Sequence, residues 1–324
     1  MDPRARFGML QVFRIRVDLR HVRDIAFAVI AQVRQAPNRP TGPFPDLSET
    51  NQRMFTYIDP SVRTRLLEQG KLTRINAAGE IIDATSADIP AEPALEVLGP
   101  IPLPIALTDE PLTAQWYAFV RRTELARVDG LAAELRQQGG QHLFASLTSS
   151  MAVNSLLVIG DPDRSNEPLV RVHSNCLTGD VFGSRRCDCG PQLAAAVRQM
   201  QQDPAGGYLV YMAGHEGRGI GLWAKAATYL LQDAGENTYQ ANRSLGLPDD
   251  SRDFGDAASI LKWRLGDSPF RLLTNNPKKL EDLAAHGLVN ARRVKHLAGV
   301  DEWNRRYLKA KQGWGHAISE EDLG

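Results

Sequence analysis

Two textures of apolar and polar residues divide the chain. From about residue 141 onward, short strand-like runs recur: SLLVIG (155–160), LVRVHS (169–174), GYLVYM (207–212) and FRLLTN (270–275). Between and after them, PQLAAAVRQMQQ (191–202), LWAKAATYLLQDAG (222–235), DAASILKWRLG (256–266) and PKKLEDLAAHG (277–287) space their apolar residues for one face of a helix. Pro191 and Pro277 stand where a first-turn proline belongs, and Gly235 and Gly287 where helices stop. Strands alternating with helices predict an α/β sheet whose functional loops follow the strand ends.

The first 140 residues read differently. MLQVFRIRV (9–17) has strand composition, residues 18–34 carry helical spacing, and the prolines of 36–47 demand a loop. LTRINAAGEIIDAT (72–85) predicts a hairpin turning near Gly79. Six prolines between 90 and 111 predict an extended linker or edge segment. The run from Leu112 to Gln138 predicts one long helix stopped by Gly139-Gly140. This part shows neither metal-ligand spacing nor a phosphate loop, and its expected roles are dimerisation or covering a neighbouring site.

Composition narrows the function classes. A chain of 324 residues with 43% hydrophobic content is long enough for a buried core and one or two domains. Its 38 basic and 38 acidic residues cancel, which argues against a nucleic-acid or membrane-surface partner. The beginning lacks a secretory pattern and no apolar run approaches the ~20 residues of a membrane span, so a cytoplasmic protein is expected. Neutrality conceals a local concentration of Arg171, Arg185, Arg186, Arg218, Arg252 and Lys279, suited to one polyphosphate and not to a polymer.

The three cysteines, Cys176, Cys187 and Cys189, fall within RVHSNCLTGDVFGSRRCDCG at the spacing C-x10-C-x-C. Three thiolates can bind zinc in two ways. A histidine such as His173 closes a structural site, or water takes the fourth position of a catalytic one. Three reduced structural thiols are the plainer alternative. Further on, GYLVYMAGHEGRGIGLWAK (207–225) runs from strand through a glycine-rich turn into helix, with Arg218 as a fork for phosphate. LGLPDDSRDFGD (245–256) is an acidic loop enclosing Arg252. LLTNNPKKL (272–280) places Thr274, Lys278 and Lys279 at a strand end and helix start. Lysines at a helix start oppose the helix dipole unless an anion binds there.

Together, RVHSNCLTGDVFGSRRCDCGPQL, HEGRGIGL, LQD-AG-NT, AN-x-x-LGLPDDSRDF and LLTNNPKK resemble the GTP cyclohydrolase II family in order and spacing, over about residues 150–316. The resemblance implies a three-layer, mixed-sheet α/β catalytic domain over 141–324, preceded by a smaller α+β N-terminal domain over 1–140. It implies a homodimer that opens the imidazole ring of GTP and releases formate and pyrophosphate on the way to riboflavin. Cys176, Cys187 and Cys189 would hold Zn2+, with Mg2+ accompanying the substrate phosphates and zinc-activated water attacking C8. Arg171, Val172, His173, Ser174, Asn175, Gln192, Glu216, Gly217, Arg218, Thr238, Thr274 and Lys279 would hold the nucleotide. Glu216 is the candidate reader of the guanine edge. Asp250 matches the family's proton acceptor and Arg252 the residue assigned to the α-phosphorus, although a guanidinium is more naturally a clamp on departing pyrophosphate.

The sequence departs from the family's usual pattern at Asn175, His215 and Ala227. These changes reshape the base or ribose surroundings and spare the cysteines and the phosphate-binding residues. Two alternatives therefore stand beside GTP: a uracil nucleotide as substrate of the same hydrolytic core, or a regulator that binds nucleotide without turnover. The N-terminal part lacks the acidic D-x-E-x-E-type motif of the butanone-phosphate synthase domain fused to many relatives, so a bifunctional enzyme is not expected.

Overall fold

The computed structural model describes residues 58–86, 90–138 and 151–324. The strand, helix and loop expected within residues 9–47 lie outside them. Among the described residues the fold is α/β, built on a mixed nine-stranded sheet of order β2-β1-β3-β4-β5-β7-β6-β8-β9. Its antiparallel side comprises β1 (Leu72–Asn76), β2 (Ile81–Ile82), β3 (Ala94–Ile105), β4 (Leu112–Arg121) and β5 (Asn154–Ile159). β7 (Gly207–Met212) joins β5 antiparallel and β6 (Leu169–Ser174) parallel; β8 (Phe270–Leu273) and β9 (Ala291–Val294) continue the parallel side. The expected boundary between residues 140 and 141 falls outside the described residues, and strands from either side of it share this sheet.

The hairpin expected over 72–85 is present, with Gly79 at φ 79° in its turn and Ile75 opposite Ile81. Of the two alternatives for the proline-rich stretch, the extended edge segment is the one present, as much of strand β3, and the linker is not; one expectation for the N-terminal half is corrected below. β1 pairs with β3 only as far as Leu98, and β4 pairs with its remainder from Ile101. Pro100, Pro102 and Pro104 lie two apart, so their missing N–H groups all fall on the side that β1 has vacated. The helix expected over 112–138 is strand β4 followed by helix, because LTAQWYAFVR is aromatic and β-branched and pairs on both flanks.

Nine helices are described: α1 (Pro60–Glu68), α2 (Arg122–Gln138), α3 (Cys189–Gln202), α4 (Gly221–Asp233), α5 (Thr238–Ser244), α6 (Gly255–Leu265), α7 (Pro277–Ala285), α8 (Arg305–Gly313) and α9 (Glu320–Leu323). Successive residues of a strand face opposite sides, and the core follows that rule. Val170, Val172, Tyr208 and Val210 pack with Ala257, Ile260 and Leu261 of α6 and Leu283 of α7. Leu169, Leu209 and Leu273, one residue out of phase, pack with Leu193, Ala196, Val197 and Met200 of α3. Those four α3 positions are an i, i+3, i+4, i+7 stripe, the pattern its sequence predicts. The parallel strands β6, β7 and β8 therefore end side by side, and the loops after them meet at one edge.

Candidate active site

The loop after β6 carries Cys176 and Cys187, and Cys189 opens α3. The three sulfurs lie within 4.8 Å of one another, with Cys176 and Cys187 3.6 Å apart and both buried. Three thiols this close cannot all ionise without a cation between them. The contact with Cys187 drives the Cys176 thiol down, while that with Cys176 pushes Cys187 up to about 12; Cys176 and Cys187 drive Cys189 well above its ordinary value. Gly179 leaves the room such an ion needs, for a Cβ there would stand 2.9 Å from the sulfur of Cys187 and 3.1 Å from that of Cys176. Donor type, spacing and clearance fit a metal ion.

His173, the alternative fourth ligand, is not part of this cluster. Its Nε2 lies 3.0 Å from the Asp180 carboxylate and its ring stacks on Tyr211. Asp180 also accepts from the Cys176 backbone N–H at 3.0 Å and from the Tyr211 hydroxyl at 2.9 Å, so it holds the cysteine loop in shape. Lys225 of α4 places its ammonium 3.1 Å from the Cys176 sulfur and 2.6 Å from Glu216. Burial opposes that charge, but Glu216 and Cys176 outweigh it and keep the lysine protonated.

The turn after β7 holds Glu216, Gly217 and Arg218. Gly217, Arg218 and Gly219 all have positive φ, at 60°, 63° and 88°, and Arg218 is the non-glycine residue in that region among those described. Such a backbone costs on the order of 1 kcal/mol and is kept where the surroundings fix it. Here Arg218 lies over the Tyr239 ring at 4.2 Å and donates to Asp249 O and Thr238 Oγ1. Glu216 accepts from Leu177 N–H at 2.7 Å, Gly217 N–H at 3.1 Å and Lys225, so its acceptor sites are already engaged.

A second cleft adjoins the first and is lined by cations. Arg171 on β6, Lys279 on α7, Arg252 before α6 and Lys311 on α8 converge there with Thr274 and Asn276. Lys279 is 5% exposed and donates to Val172 O at 2.7 Å. Burial first, then Arg171, Arg252 and Lys311, push its ammonium well below the ordinary range. Burial likewise brings Arg171 down to about 10. A buried group of cations with this deficit of counter-charge favours a polyanion. Arg252 donates to Asp250 through Nε at 2.9 Å and Nη2 at 2.6 Å. Burial acts to raise Asp250, but Arg252 wins and its carboxyl falls below the usual range, which weakens it as a base.

Every expected site residue except Val172 and Asp250 lines one of these two clefts, and Ser174, Cys189, Arg218 and Arg252 line both. Val172 points into the core and offers its carbonyl. Of the expected lysine pair, Lys278 bonds Asp282 at 2.6 Å and Lys279 alone faces the cleft. Arg185 pairs with Asp301, away from it. Sequence reasoning missed Lys311, Tyr307, Asp188 and Lys225. Lys311 donates to Asp188 at 2.6 Å, Asp188 accepts from Gln192, and Gln192 accepts from Arg171 at 2.6 Å. The adjacency of Asp188 to Cys187 and Cys189 was the signal available for it; Lys311 lies 123 residues away and had none.

The sequence model of the family described as GTP cyclohydrolase II matches residues 134–295, half of the chain. The chain belongs to the GTP cyclohydrolase II family. Among curated relatives, the riboflavin biosynthesis protein RibBA of Mycobacteroides abscessus is 47% identical over 208 residues, covering 63% of this chain and 48% of that protein. RibBA of Nocardia farcinica is 51% identical over 172 residues, 52% of this chain and 41% of its own. A rice protein, probable bifunctional riboflavin biosynthesis protein RIBA 1, chloroplastic, is 43% identical over 215 residues, 66% of this chain and 36% of its own. The chain thus spans about half the length, or less, of these GTP cyclohydrolase II relatives. No described helix is long and apolar enough to cross a membrane.

Proposed function

We propose that this protein hydrolyses GTP, opening the imidazole ring and releasing formate and pyrophosphate, as a step towards riboflavin. The reading is carried by one observation: the three-thiol cluster and the cation-lined cleft share a wall at Ser174, Cys189, Arg218 and Arg252. A ring carbon can then lie at the thiols while the triphosphate of the same molecule lies among Arg171, Arg252, Lys279 and Lys311. Zn2+ suits a three-thiolate set, and it would supply a Lewis acid that activates water for attack on the carbon between two ring nitrogens. Mg2+ would accompany the phosphates.

The chain's own groups do the rest. Lys225 stays protonated beside Cys176 and offsets part of the thiolate charge. Arg252, fixed by both oxygens of Asp250, clamps the phosphate that departs. Arg218, locked over Tyr239, closes the junction between ring and phosphates. The reading includes a three-layer catalytic domain and a homodimer; exposed Val181, Phe182, Trp223 and Leu230 support the latter by leaving apolar surface beside the site.

The test is incubation of zinc-loaded protein with GTP, GMP, UTP and UMP, following formate, pyrophosphate and loss of base absorbance. Formate and pyrophosphate from GTP support the proposal. Turnover of a uracil nucleotide but not GTP overturns the substrate, and turnover of none overturns the enzyme. Cys187→Ser should abolish ring opening in a protein that still folds; full activity of that variant without bound metal would remove the thiolate site from the mechanism.

A further inference from the structure

The antiparallel side of the sheet packs fully on one face only. Leu95, Val97 and Tyr117 belong to the core that α6 completes. The residues alternating with them point the other way, where Leu98 stands opposite Ala118 and Glu96 opposite Val120. On that side α1 buries none of its residues. A cavity of about 390 Å3 remains there, lined from the sheet, α1 and α2. Small-molecule sites occupy about 300–1,000 Å3, so this one suits a compact ligand. It shares none of its described lining residues with the two clefts around the cysteines.

Leu98, Trp116, Ala118, Val120, Leu125 and Met151 make most of its wall apolar. Glu96, 3% exposed, is the exception. Its Oε1 accepts from Arg74 through Nε at 2.8 Å and Nη2 at 2.6 Å, and lies 3.4 Å from Nη2 of Arg63. Its Oε2 is buried and has no hydrogen-bond partner among the described residues. A carboxylate oxygen only accepts, and a buried acceptor left unserved costs free energy, so an occupant that donates to Oε2 is favoured over one that cannot. Charge narrows the choice further. Arg63, Arg74 and Arg122 already surround Glu96 and Asp129. An ammonium would add a fourth cation to three, and an anionic ligand would set a second negative charge against Oε2. A neutral donor meets neither cost.

We propose that this cavity is a second ligand site, which takes a neutral aromatic molecule of one or two rings that donates an N–H or O–H to Oε2 of Glu96. The ring supplies the apolar body that the wall requires, and the indole of Trp116 and the thioether of Met151 are both suited to contact with an aromatic ring. Arg74 holds Glu96 through its other oxygen, so the acceptor is fixed in place before the ligand arrives. The site is independent of the nucleotide reading, since the sheet face that carries it contributes no residue to either cleft.

The test compares two probes of one shape on the metal-loaded full chain. Indole carries a ring N–H; benzofuran is the same bicycle with oxygen in that place and has no donor. Calorimetric titration should show indole binding saturably, with a Kd lower than that of benzofuran by roughly 10-fold or more, because only indole serves the buried acceptor. In protein labelled with 13C at the methionine methyls, indole should shift the Met151 resonance, assigned by Met151→Leu. Ala118→Phe fills the cavity with apolar atoms and leaves Glu96 untouched. It should weaken indole binding by roughly 10-fold or more, and circular dichroism and a melting temperature no lower than that of the wild type establish that it is folded. Absence of saturable indole binding overturns the site, and equal affinity for the two probes overturns the role of Glu96. Indole that leaves Met151 unshifted, or that binds folded Ala118→Phe as it binds the wild type, overturns the location. None of these outcomes bears on GTP turnover, which is measured separately.

Discussion

At the scale of single residues, the site depends on a side chain that is absent. Gly179 is buried, and a methyl group in its place would meet the sulfurs of Cys187 and Cys176 and the Cβ of Cys189 at 2.9 to 3.1 Å. The surrounding atoms belong to the three cysteines themselves, so they cannot yield without opening the cluster. Gly179→Ala should therefore reduce metal affinity by roughly 10- to 100-fold, the range seen when groups that orient metal ligands are disturbed. Metal content by plasma mass spectrometry after dialysis against a weak chelator measures this; full occupancy would show that the loop relaxes. The cysteines were legible from their spacing, and the glycine between them only as part of a motif. Lys311, which fixes Asp188 and through Gln192 reaches Arg171, was illegible because a helix 123 residues downstream brings it there.

At the scale of elements, sequence pattern served the parallel side of the sheet well and the antiparallel side poorly. β6, β7 and β8 are buried on both faces and read as short apolar runs between helices of clear period. β3 and β4 defeated the same reading. In β3 the prolines lie on the flank that lacks a partner, which only the register reveals. β4 ends at Arg121 and α2 begins at Arg122 with no glycine or proline between them, so the sequence carries no break signal at the junction. The pairing of β1 with β3 also contains an ion pair that composition does not disclose. Arg74 and Glu96 stand directly opposite each other, 2% and 3% exposed, with Arg74 donating from Nε at 2.8 Å and Nη2 at 2.6 Å. Arg74 also donates to the carbonyls of Asp83 and Ser86, tying the segment after β2 to the sheet. Arg74→Met should cost roughly 3 kcal/mol by leaving a buried carboxylate short of its main partner. Adding Glu96→Gln should restore roughly 1 kcal/mol or more, since the stranded charge is then gone. Urea denaturation of the single and double variants closes the cycle; strict additivity would mean that the pair is not coupled.

At the scale of the whole molecule, His296 couples the fold to pH. It follows β9 and is 1% exposed. Its Nε2 lies 2.9 Å from Gln192 O in α3, and its backbone exchanges two hydrogen bonds with the Asn275 side chain before α7. The Gln192 carbonyl requires the proton on Nε2, and Nδ1 is buried without a partner. A second proton would place a cation in that dry space beside Arg171. Burial first, and then Arg171, accordingly bring His296 down to about 4. In the unfolded chain an ordinary histidine titrates near ~6.5, so between those values the unfolded state binds more protons and stability rises with pH. The contribution of His296 is complete above about 6.5, declines as pH falls towards 4, and is gone below it. Its size is on the order of 3 kcal/mol, at about 1.4 kcal/mol per unit of pKa. Carboxylates titrating over part of the same range also change stability, so the comparison is with His296→Gln. From pH 7 to pH 4, wild-type protein should lose more unfolding free energy than this variant by about that amount. Urea denaturation at several pH values reads the difference. Parallel stability curves for the two proteins would show that the His296 ring accepts its second proton as readily in the folded chain as in the unfolded one.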